Sequence, residues 1–326
     1  MRGASCYPAV PVNEASNQRY AVGLDLGGTD LKAARVLADG RLEDFGKRPS
    51  RVAESAEAPL EVIADAVNQL TRGRRAGLIG IGLGSPGVIH PETGALMGGT
   101  PHIPHWEAFP LRERLAARLG VTPAVANDAN LAAFAEHRLG AARGARVSIT
   151  LTVGTGIGAG IVIDGAIVPG AWGGAGEIGH LPLGRSGMPC RCGVPDCVEP
   201  DASGSGIAAH ARAAGIDPCE ARDVFSAAAA GDPRARTIVE AMVDRLAATI
   251  GAAVSLINPE VVVVGGGVSQ AGEFLMAPLR VAAARYTLAT HRQGLRVVAA
   301  ALGERAGTVG AGLYAWEVVG TTAGRA

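Results

Sequence analysis

Residues 20–29 read Tyr-Ala-Val-Gly-Leu-Asp-Leu-Gly-Gly-Thr, and this stretch decides the fold class. Its apolar run ends in two glycines, which predicts a buried strand over 20–26 followed by a tight turn and a second strand over 31–37. A similar sequence, Val-Gly-Thr-Gly at 153–156, lies between strands predicted over 147–153 and up to residue 163. This repetition indicates two related domains that face each other across a cleft.

The rest of the chain alternates between predicted helices and strands. This alternation is typical of the α/β class. Residues 170–206 are rich in Gly, Pro and Cys and show no periodicity. The stretch is too long for a structureless loop, so we expect a feature of its own to hold it in a fixed conformation. Helices are predicted over 59–72, 111–119, 130–139, 233–258, 273–285 and 306–319, and further strands over 78–83, 124–126, 261–264 and 295–302.

Composition excludes several classes of protein. The 326 residues carry 30 basic and 30 acidic side chains, and this balance does not favour a nucleic acid or an anionic membrane as a partner. The uncharged stretch 148–163 is shorter than the roughly 20 apolar residues that a bilayer helix needs, and its glycines favour a pair of strands. Residues 1–19 contain Glu14 and no apolar segment, so we expect a flexible tail, not a secretory signal, and a cytoplasmic protein.

Glycine turns between strands can surround an anion with backbone N–H groups. Thr29 and Thr155 add hydroxyl donors to the two turns, although such turns are also common in simple hairpins. Neither turn matches a P-loop or a dinucleotide-binding motif. A third glycine run, Gly265-Gly266-Gly267, follows an apolar strand and would let an adenine or ribose lie against bare backbone. Asp25, at the tip of the first strand, could hold Mg²⁺ directly or through water, or bond to the adjacent turn.

The cysteines indicate a metal site. The chain has five, an odd number without a signal peptide, which argues against a disulfide framework. Thiolate and imidazole ligands suit tetrahedral Zn²⁺, and three Cys with one His would close a structural site that organises the irregular stretch. The predicted ligands are His180, Cys190, Cys192 and Cys197, and we expect Cys6 and Cys219 to lie outside the cluster.

Four polar residues accompany these motifs. Asn127 and Asp128 stand where a strand ends and a helix begins, so helix capping is one role open to them. Glu177 precedes His180 by three residues and Glu199 follows the last clustered cysteine by two. A zinc site at these ligands would bring both glutamates to the same place. The alternative is that both glutamates are solvated at the surface. An imidazole has two nitrogens, so His180 could bind zinc with one and a ligand hydroxyl with the other.

From about residue 21 to 313 the sequence resembles the ROK family (repressors, open reading frames, kinases). The most specific part of the resemblance is the Glu-x-Gly-His motif followed by the cysteine cluster. The motifs that carry it are Asp25-Leu26-Gly27-Gly28-Thr29, Asn127-Asp128, Leu151 to Gly156, Glu177-Ile178-Gly179-His180, Cys190-Arg191-Cys192-Gly193, Cys197-Val198-Glu199 and Gly265-Gly266-Gly267.

The resemblance implies an actin-like ATPase (ribonuclease H-like) fold and an ATP-dependent hexose kinase with ATP, Mg²⁺ and structural Zn²⁺. Asp128 would be the general base. The sugar would contact Asn127, Asp128, Glu177, His180, Glu199 and His102. ATP and its phosphates would contact Asp25, Gly27, Gly28, Thr29, Lys32, Gly154, Thr155, Gly156, Gly265, Gly266 and Gly267.

Three departures from the family pattern leave the sugar open. His102 occupies the place of an asparagine that often touches the sugar, Val198 replaces an aromatic residue common in glucokinases of the family, and Pro200 replaces a polar residue. The 6-hydroxyl of glucose is the favoured acceptor, whereas N-acetylmannosamine, mannose, allose and fructose are alternatives. A sugar-responsive repressor and a sugar-binding protein without catalysis are rival functions, and polyphosphate is a rival donor.

The resemblance also predicts the domain organisation. We expect a small N-terminal α/β domain of residues 20–126 plus 305–326, and a large α/β domain of residues 127–304 that carries the zinc-binding insert 170–206. A homodimer or homotetramer is expected, with no nucleic acid or membrane partner.

Overall fold

The computed structural model describes residues 19–98, 100, 102–216 and 220–323, so most of the predicted tail and both Cys6 and Cys219 lie outside the described residues. Within these described residues, ten strands form two five-stranded mixed sheets. The first contains β1 (Tyr20–Leu26), β2 (Asp30–Val36), β3 (Leu42–Pro49), β4 (Leu78–Ser85) and β5 (Ala124–Asn127) in the order β3-β2-β1-β4-β5. The second contains β6 (Val147–Val153), β7 (Ile157–Ile163), β8 (Ala166–Ile167), β9 (Val261–Gly265) and β10 (Arg296–Ala299) in the order β10-β9-β6-β7-β8.

The two sheets share one topology. In each, the first two strands form an antiparallel hairpin around a glycine turn, and the first strand also pairs in parallel with a later strand, β4 or β9. The third strand of each sheet extends the hairpin at the edge, and the fifth pairs in parallel on the opposite side. The repeated turn in the sequence therefore marks a repeated architecture.

Ten α-helices accompany the sheets within the described residues. They are α1 (Ala58–Thr71), α2 (Leu111–Leu119), α3 (Asp128–Arg138), α4 (Glu199–Ala202), α5 (Gly204–Ala213), α6 (Ala221–Ala229), α7 (Pro233–Ile257), α8 (Glu273–Arg285), α9 (Ala289–Arg292) and α10 (Ala306–Ala323). Two main hydrophobic cores form, one between the first sheet and α1 and α2, the other between the second sheet and α5 to α8. Among the described helices, none combines the length and the apolar character of a membrane span.

Two helices lie between the sheets. The backbone of α10 approaches the first sheet so closely that a Cβ at Gly82 would lie 1.8 Å from the Ala311 oxygen. On the other side, a Cβ at Gly160 of the second sheet would lie 2.8 Å from the Asn130 Cα of α3. The two helices also touch, because a Cβ at Gly310 would lie 1.9 Å from the Leu131 oxygen. Glycine at these crossings is what lets α3 and α10 pack between the sheets.

Most predicted elements are present, and the differences have local causes. Helix α3 begins at Asp128, two residues before the predicted start, because its cap is Asn127. Strand β10 ends at Ala299, because the chain turns away from the sheet after pairing with β9. The stretch 170–206 contains α4 and the start of α5. Elements β3, β8, α4, α5, α6 and α9 were not predicted. The two residues of β8 and the four of α9 are too few for a clear period, and β3 carries charged residues at the edge of the sheet.

Candidate active site and metal centre

Asp128 lies at the junction of β5 and α3. The Asn127 side-chain oxygen accepts a hydrogen bond from the Asn130 N–H at 3.1 Å, so the capping role of Asn127 is confirmed. The Asn127 amide also donates to the Gly87 carbonyl at 3.1 Å. One oxygen of Asp128 accepts from the Ala129 N–H at 2.8 Å. The strand end and the helix start together fix the position of the Asp128 carboxylate.

The electrostatics of Asp128 distinguish it from a simple capping residue. Burial and, after it, the negative charges of Asp25 and Glu177 together raise the pKa of Asp128 from 3.8 to about 6. Asp25 and Glu177, which are far from residue 128 in the sequence, therefore lie near enough to Asp128 for their charges to act on it.

Asp25 is held between the first sheet and the start of α10. Its carboxylate forms an ion pair with Lys32 at 3.1 Å, and only 15% of its side chain is exposed. A Cβ at Gly307 would lie 2.6 Å from the Asp25 Cγ, so glycine is required for the first turn of α10 to reach the carboxylate. Gly307 was not predicted, because nothing in the sequence near residue 307 indicates a contact with residue 25.

The first glycine turn lies beside His102. The turn is closed by a hydrogen bond of 2.8 Å from the Gly27 N–H to the Asp30 carbonyl. Gly28 and Thr29 are exposed at its tip. A Cβ at Gly28 would lie 3.7 Å from the Nδ1 atom of His102. The structure thus brings His102, predicted near the sugar, against the turn predicted near the phosphates.

The second and third glycine turns are neighbours, since β6 and β9 pair in parallel. Gly266 has a φ of 84°, and a Cβ there would lie 2.4 Å from the Val153 oxygen. The second turn is held by the start of α5, where the Gly204 N–H donates to the Gly154 carbonyl at 2.7 Å. The Ser205 hydroxyl donates to the Thr155 carbonyl at 2.6 Å. Sequence reasoning did not identify Gly204 and Ser205 as supports of this turn.

Glu199 joins the second turn to the metal region. Its Oε2 atom accepts a hydrogen bond from the Ile157 N–H at 2.8 Å. A Cβ at Gly156 would lie 2.4 Å from the same oxygen, so residue 156 must be small for Glu199 to reach this place. The carboxylate predicted to contact a sugar therefore lies directly beside a turn predicted to contact phosphate.

Glu177 and His180 face each other near Glu199. The Glu177 Oε2 and His180 Nε2 atoms are 3.9 Å apart. The Glu177 side chain is 41% exposed, and its partial burial raises its pKa. The charge of His180 lowers the pKa of Glu177 and that of Glu199 raises it. These three polar side chains therefore form one group.

The four predicted metal ligands come together. One potential ligand atom from each of His180, Cys190, Cys192 and Cys197 lies within 4.8 Å of all the others. The His180 Nδ1 atom is 3.6 Å from the Cys190 sulfur, and the Cys192 and Cys197 sulfurs are 3.5 Å apart. Tetrahedral zinc with Zn–S of about 2.3 Å and Zn–N of about 2.0 Å separates its ligands by about 3.5–3.8 Å. The cluster therefore fits a single small ion.

The chemistry of the donor set agrees with that geometry. Burial and, after it, the neighbouring cysteines together raise the pKa of the Cys197 thiol to about 12. Three clustered thiolates would repel one another in the absence of a cation. With Nδ1 toward the sulfurs, His180 keeps Nε2 on the side of Glu177. The geometry therefore allows His180 to bind a metal ion with Nδ1 and a ligand hydroxyl with Nε2.

A family model described as "ROK family" matches residues 21–317. The chain belongs to the ROK family. A glucokinase of Halalkalibacterium halodurans is 36% identical over 91% of this chain and 94% of its own length. An N-acetylmannosamine kinase of Citrobacter koseri is 35% identical over 90% of this chain and 97% of its own length.

Solved structures of ROK proteins are also similar to this chain. A ROK hexokinase of Thermus thermophilus has a TM-score of 0.82 and 36% identity, covering 93% of this chain and 99% of its own. A ROK glucokinase of Streptomyces griseus, solved with glucose and AMPPNP, has a TM-score of 0.79 and 32% identity, covering 90% and 98%. ROK sugar kinases have the actin-like ATPase fold, so the predicted fold class is confirmed.

Proposed function

We propose that this chain is an ATP-dependent hexose kinase that transfers the γ-phosphate of ATP to the 6-hydroxyl of glucose. Similarity to glucokinases over nearly the whole chain supports the hexose kinase activity. The observation that carries the proposal is the Asp128 carboxylate, whose pKa is raised to about 6 beside Asp25 and Glu177. A carboxylate with this property has the chemistry of a general base in a kinase.

In this proposal Asp128 accepts the proton of the attacking sugar hydroxyl. Phosphoryl transfer depends mainly on positioning and on neutralisation of charge, so the base needs only to align the hydroxyl and take its proton late. A base works best when its pKa approaches the working pH while it remains ionised. A pKa of about 6 meets both conditions near neutral pH.

The sugar and the nucleotide would bind on opposite sides of Asp128. Buried donors and acceptors that match sugar hydroxyls give selectivity, because an analogue that lacks a hydroxyl leaves them unpaired. We assign the sugar to Asn127, Asp128, Glu177, His180, Glu199 and His102. We assign the phosphates and the adenosine to the three glycine turns, with Thr29, Thr155 and Lys32.

Two metal ions belong to the proposal. Mg²⁺ enters with ATP and supplies charge neutralisation at the phosphates, and Asp25 is the residue that would hold it, directly or through water. Zn²⁺ would be structural, held by His180 and the three clustered cysteines with no open position. Its effect on the chain would be to orient His180 and Glu177 toward the sugar.

A coupled assay with purified protein tests the function. Glucose, mannose, N-acetylmannosamine, N-acetylglucosamine and fructose are compared with ATP, and glucose is compared with ATP and polyphosphate as donors. We expect glucose with ATP to give the highest kcat/KM. A preference for N-acetylmannosamine, the acceptor named for a similar relative, would replace glucose as the proposed substrate. If no sugar is phosphorylated, the proposed kinase activity is refuted.

The organisation of the molecule completes the proposal. We propose a small domain of residues 20–126 plus 305–326 and a large domain of residues 127–304, which close on the substrates and exclude water. The expected homodimer or homotetramer can be tested by light scattering of the purified chain. A cytoplasmic location stays a prediction.

A further inference from the structure

Glu136 is a buried carboxylate without a role in the proposed chemistry. It lies near the C-terminal end of α3 and is fully buried. Its Oε1 atom accepts a hydrogen bond from the Leu302 N–H at 2.8 Å. Its Oε2 atom accepts from the N–H groups of Ala301 at 3.1 Å and Ala141 at 2.8 Å. Three backbone donors from two separate segments thus converge on one side chain.

This arrangement is specific for a carboxylate. The end of a helix is unfavourable for a negative charge, so the side chain must be stabilised by the donors that surround it. An ionised carboxylate accepts hydrogen bonds at both oxygens. A glutamine amide would instead place its own NH₂ donors against one of the backbone N–H donors. The chain also leaves room for it, because a Cβ at Gly140 would lie 2.0 Å from the Glu136 Oε2 atom.

The segment bound by Glu136 connects the two sheets. The Ala300 N–H still bonds to the Val264 carbonyl of β9 at 2.9 Å, so the second sheet ends here. Only a few residues later the chain enters α10, which packs on the first sheet. The connection between residues 300 and 306 is therefore the crossover from one sheet to the other, and Glu136 attaches it to α3.

Each of the two helices joined in this way has its first turn at the candidate active site. Asp128 is the first residue of α3, and Gly307, in the first turn of α10, lies against the Asp25 carboxylate. Glu136 lies two turns along α3 from Asp128. A change in how α3 attaches to the crossover would therefore shift Asp128 relative to Asp25.

We propose that Glu136 is a positioning residue of the phosphoryl transfer, which fixes α3 to the 300–306 crossover and thereby sets the separation of Asp128 from Asp25. The inference rests on the kinase function proposed above. Its consequence falls on the transfer step more than on sugar binding, because Glu177, His180 and Glu199 are attached to other segments of the chain. Misplacement of reacting groups by about 1 Å can lower a rate by about 100-fold.

The test compares Glu136→Gln and Glu136→Asp with the unmodified chain on whichever sugar that chain phosphorylates best. The first variant keeps the shape and loses an acceptor, and the second keeps the charge but shortens the reach. We expect kcat to fall about 10- to 100-fold in Glu136→Gln and less in Glu136→Asp. The dissociation constant of the sugar, measured by calorimetry, should stay within about threefold, because four of the six residues assigned to the sugar lie outside α3 and its cap.

A control separates positioning from general stability. Leu279 of α8 is fully buried in the second core, and Leu279→Ala should lower the melting temperature without affecting the helix attachment. The inference is supported if kcat falls much more in the Glu136 variants than in a Leu279→Ala protein whose melting temperature is equal or lower. It is overturned if Glu136→Gln keeps kcat within about twofold of the unmodified chain. Where Glu136→Gln does not fold, the same criterion applies to Glu136→Asp. It is also overturned if Leu279→Ala lowers kcat as much as the Glu136 variants do. An unmodified chain inactive on every sugar would instead refute the proposed function.

Discussion

Replacement of Asp128 by asparagine should abolish turnover and at the same time stabilise the protein. Asparagine keeps the size and the capping geometry but cannot accept the proton of a sugar hydroxyl. The stabilisation follows from the raised pKa of Asp128, because a carboxyl group that resists ionisation in the folded state opposes folding whenever it is ionised. The loss of turnover therefore tests the base, and the gain in stability tests the partial burial of the carboxylate.

The magnitude follows from the pKa. The difference between 3.8 and about 6 corresponds to about 3 kcal/mol, which is an upper limit because the residue keeps contact with solvent. Below the unfolded pKa of 3.8 the group is neutral in both states and costs nothing. As the pH rises through about 6 the cost becomes complete. Asp128→Asn should thus gain at most about 1.5 kcal/mol at about pH 5 and about 3 kcal/mol at about pH 7.

Urea denaturation of both proteins between about pH 5 and pH 8 measures the stability, a coupled assay measures kcat, and calorimetry measures glucose binding. We expect kcat to fall by at least about 100-fold, the contribution typical of a general base, while glucose still binds. An Asp128→Asn protein with unchanged turnover would remove Asp128 as the base. A protein without any pH-dependent gain in stability would show that the carboxylate is not desolvated as the structure indicates.

Three further predictions follow from the same site. The kcat of the unmodified chain should fall as the pH decreases through about 6, because Asp128 becomes protonated and cannot accept a proton, and a flat pH profile down to pH 5 would contradict this. Elemental analysis should find one zinc per chain, and Cys197→Ser should lose zinc and unfold at a lower temperature, whereas full activity in a zinc-free protein would exclude the structural zinc. Gly156→Ala should raise the KM for the sugar about tenfold or more, because the added Cβ displaces Glu199. Gly46→Ala serves as the control and should leave this KM unchanged, because a Cβ there meets nothing within 4 Å.

Several features could be predicted from the sequence because they depend on neighbours along the chain. The turn after β1 closes within a few residues, and glycines at its tip indicate it without knowledge of the rest of the fold. Helix α7 begins after the Asp232 cap with Pro233 in its first turn, as predicted, and ends at the Asn258 cap. The ligand chemistry of three closely spaced cysteines and a nearby histidine is likewise independent of the surrounding architecture.

Other features were not accessible to the same reasoning. Strand β3 carries charged residues at an edge of the sheet, so it lacks the apolar run that identified β1, and its pairing with β2 makes it a strand. Glu136 has the sequence context of a surface glutamate in the last turns of a helix. Its burial is imposed by residues 301 and 302, which the fold brings from the far end of the chain.

Four features could be predicted from the sequence, namely the α/β class, the glycine turns, the four clustered candidate metal ligands and the strand-to-helix junction at Asp128. Only the tertiary structure decided that Asp25 lies against Gly307, that Glu199 lies beside Gly156, and that the pKa of Asp128 is raised. The physical reason is that turn geometry and ligand chemistry are local properties of a few adjacent residues. Burial and the electric field at a carboxylate are instead sums over groups that are distant in the chain and become neighbours only in the folded protein.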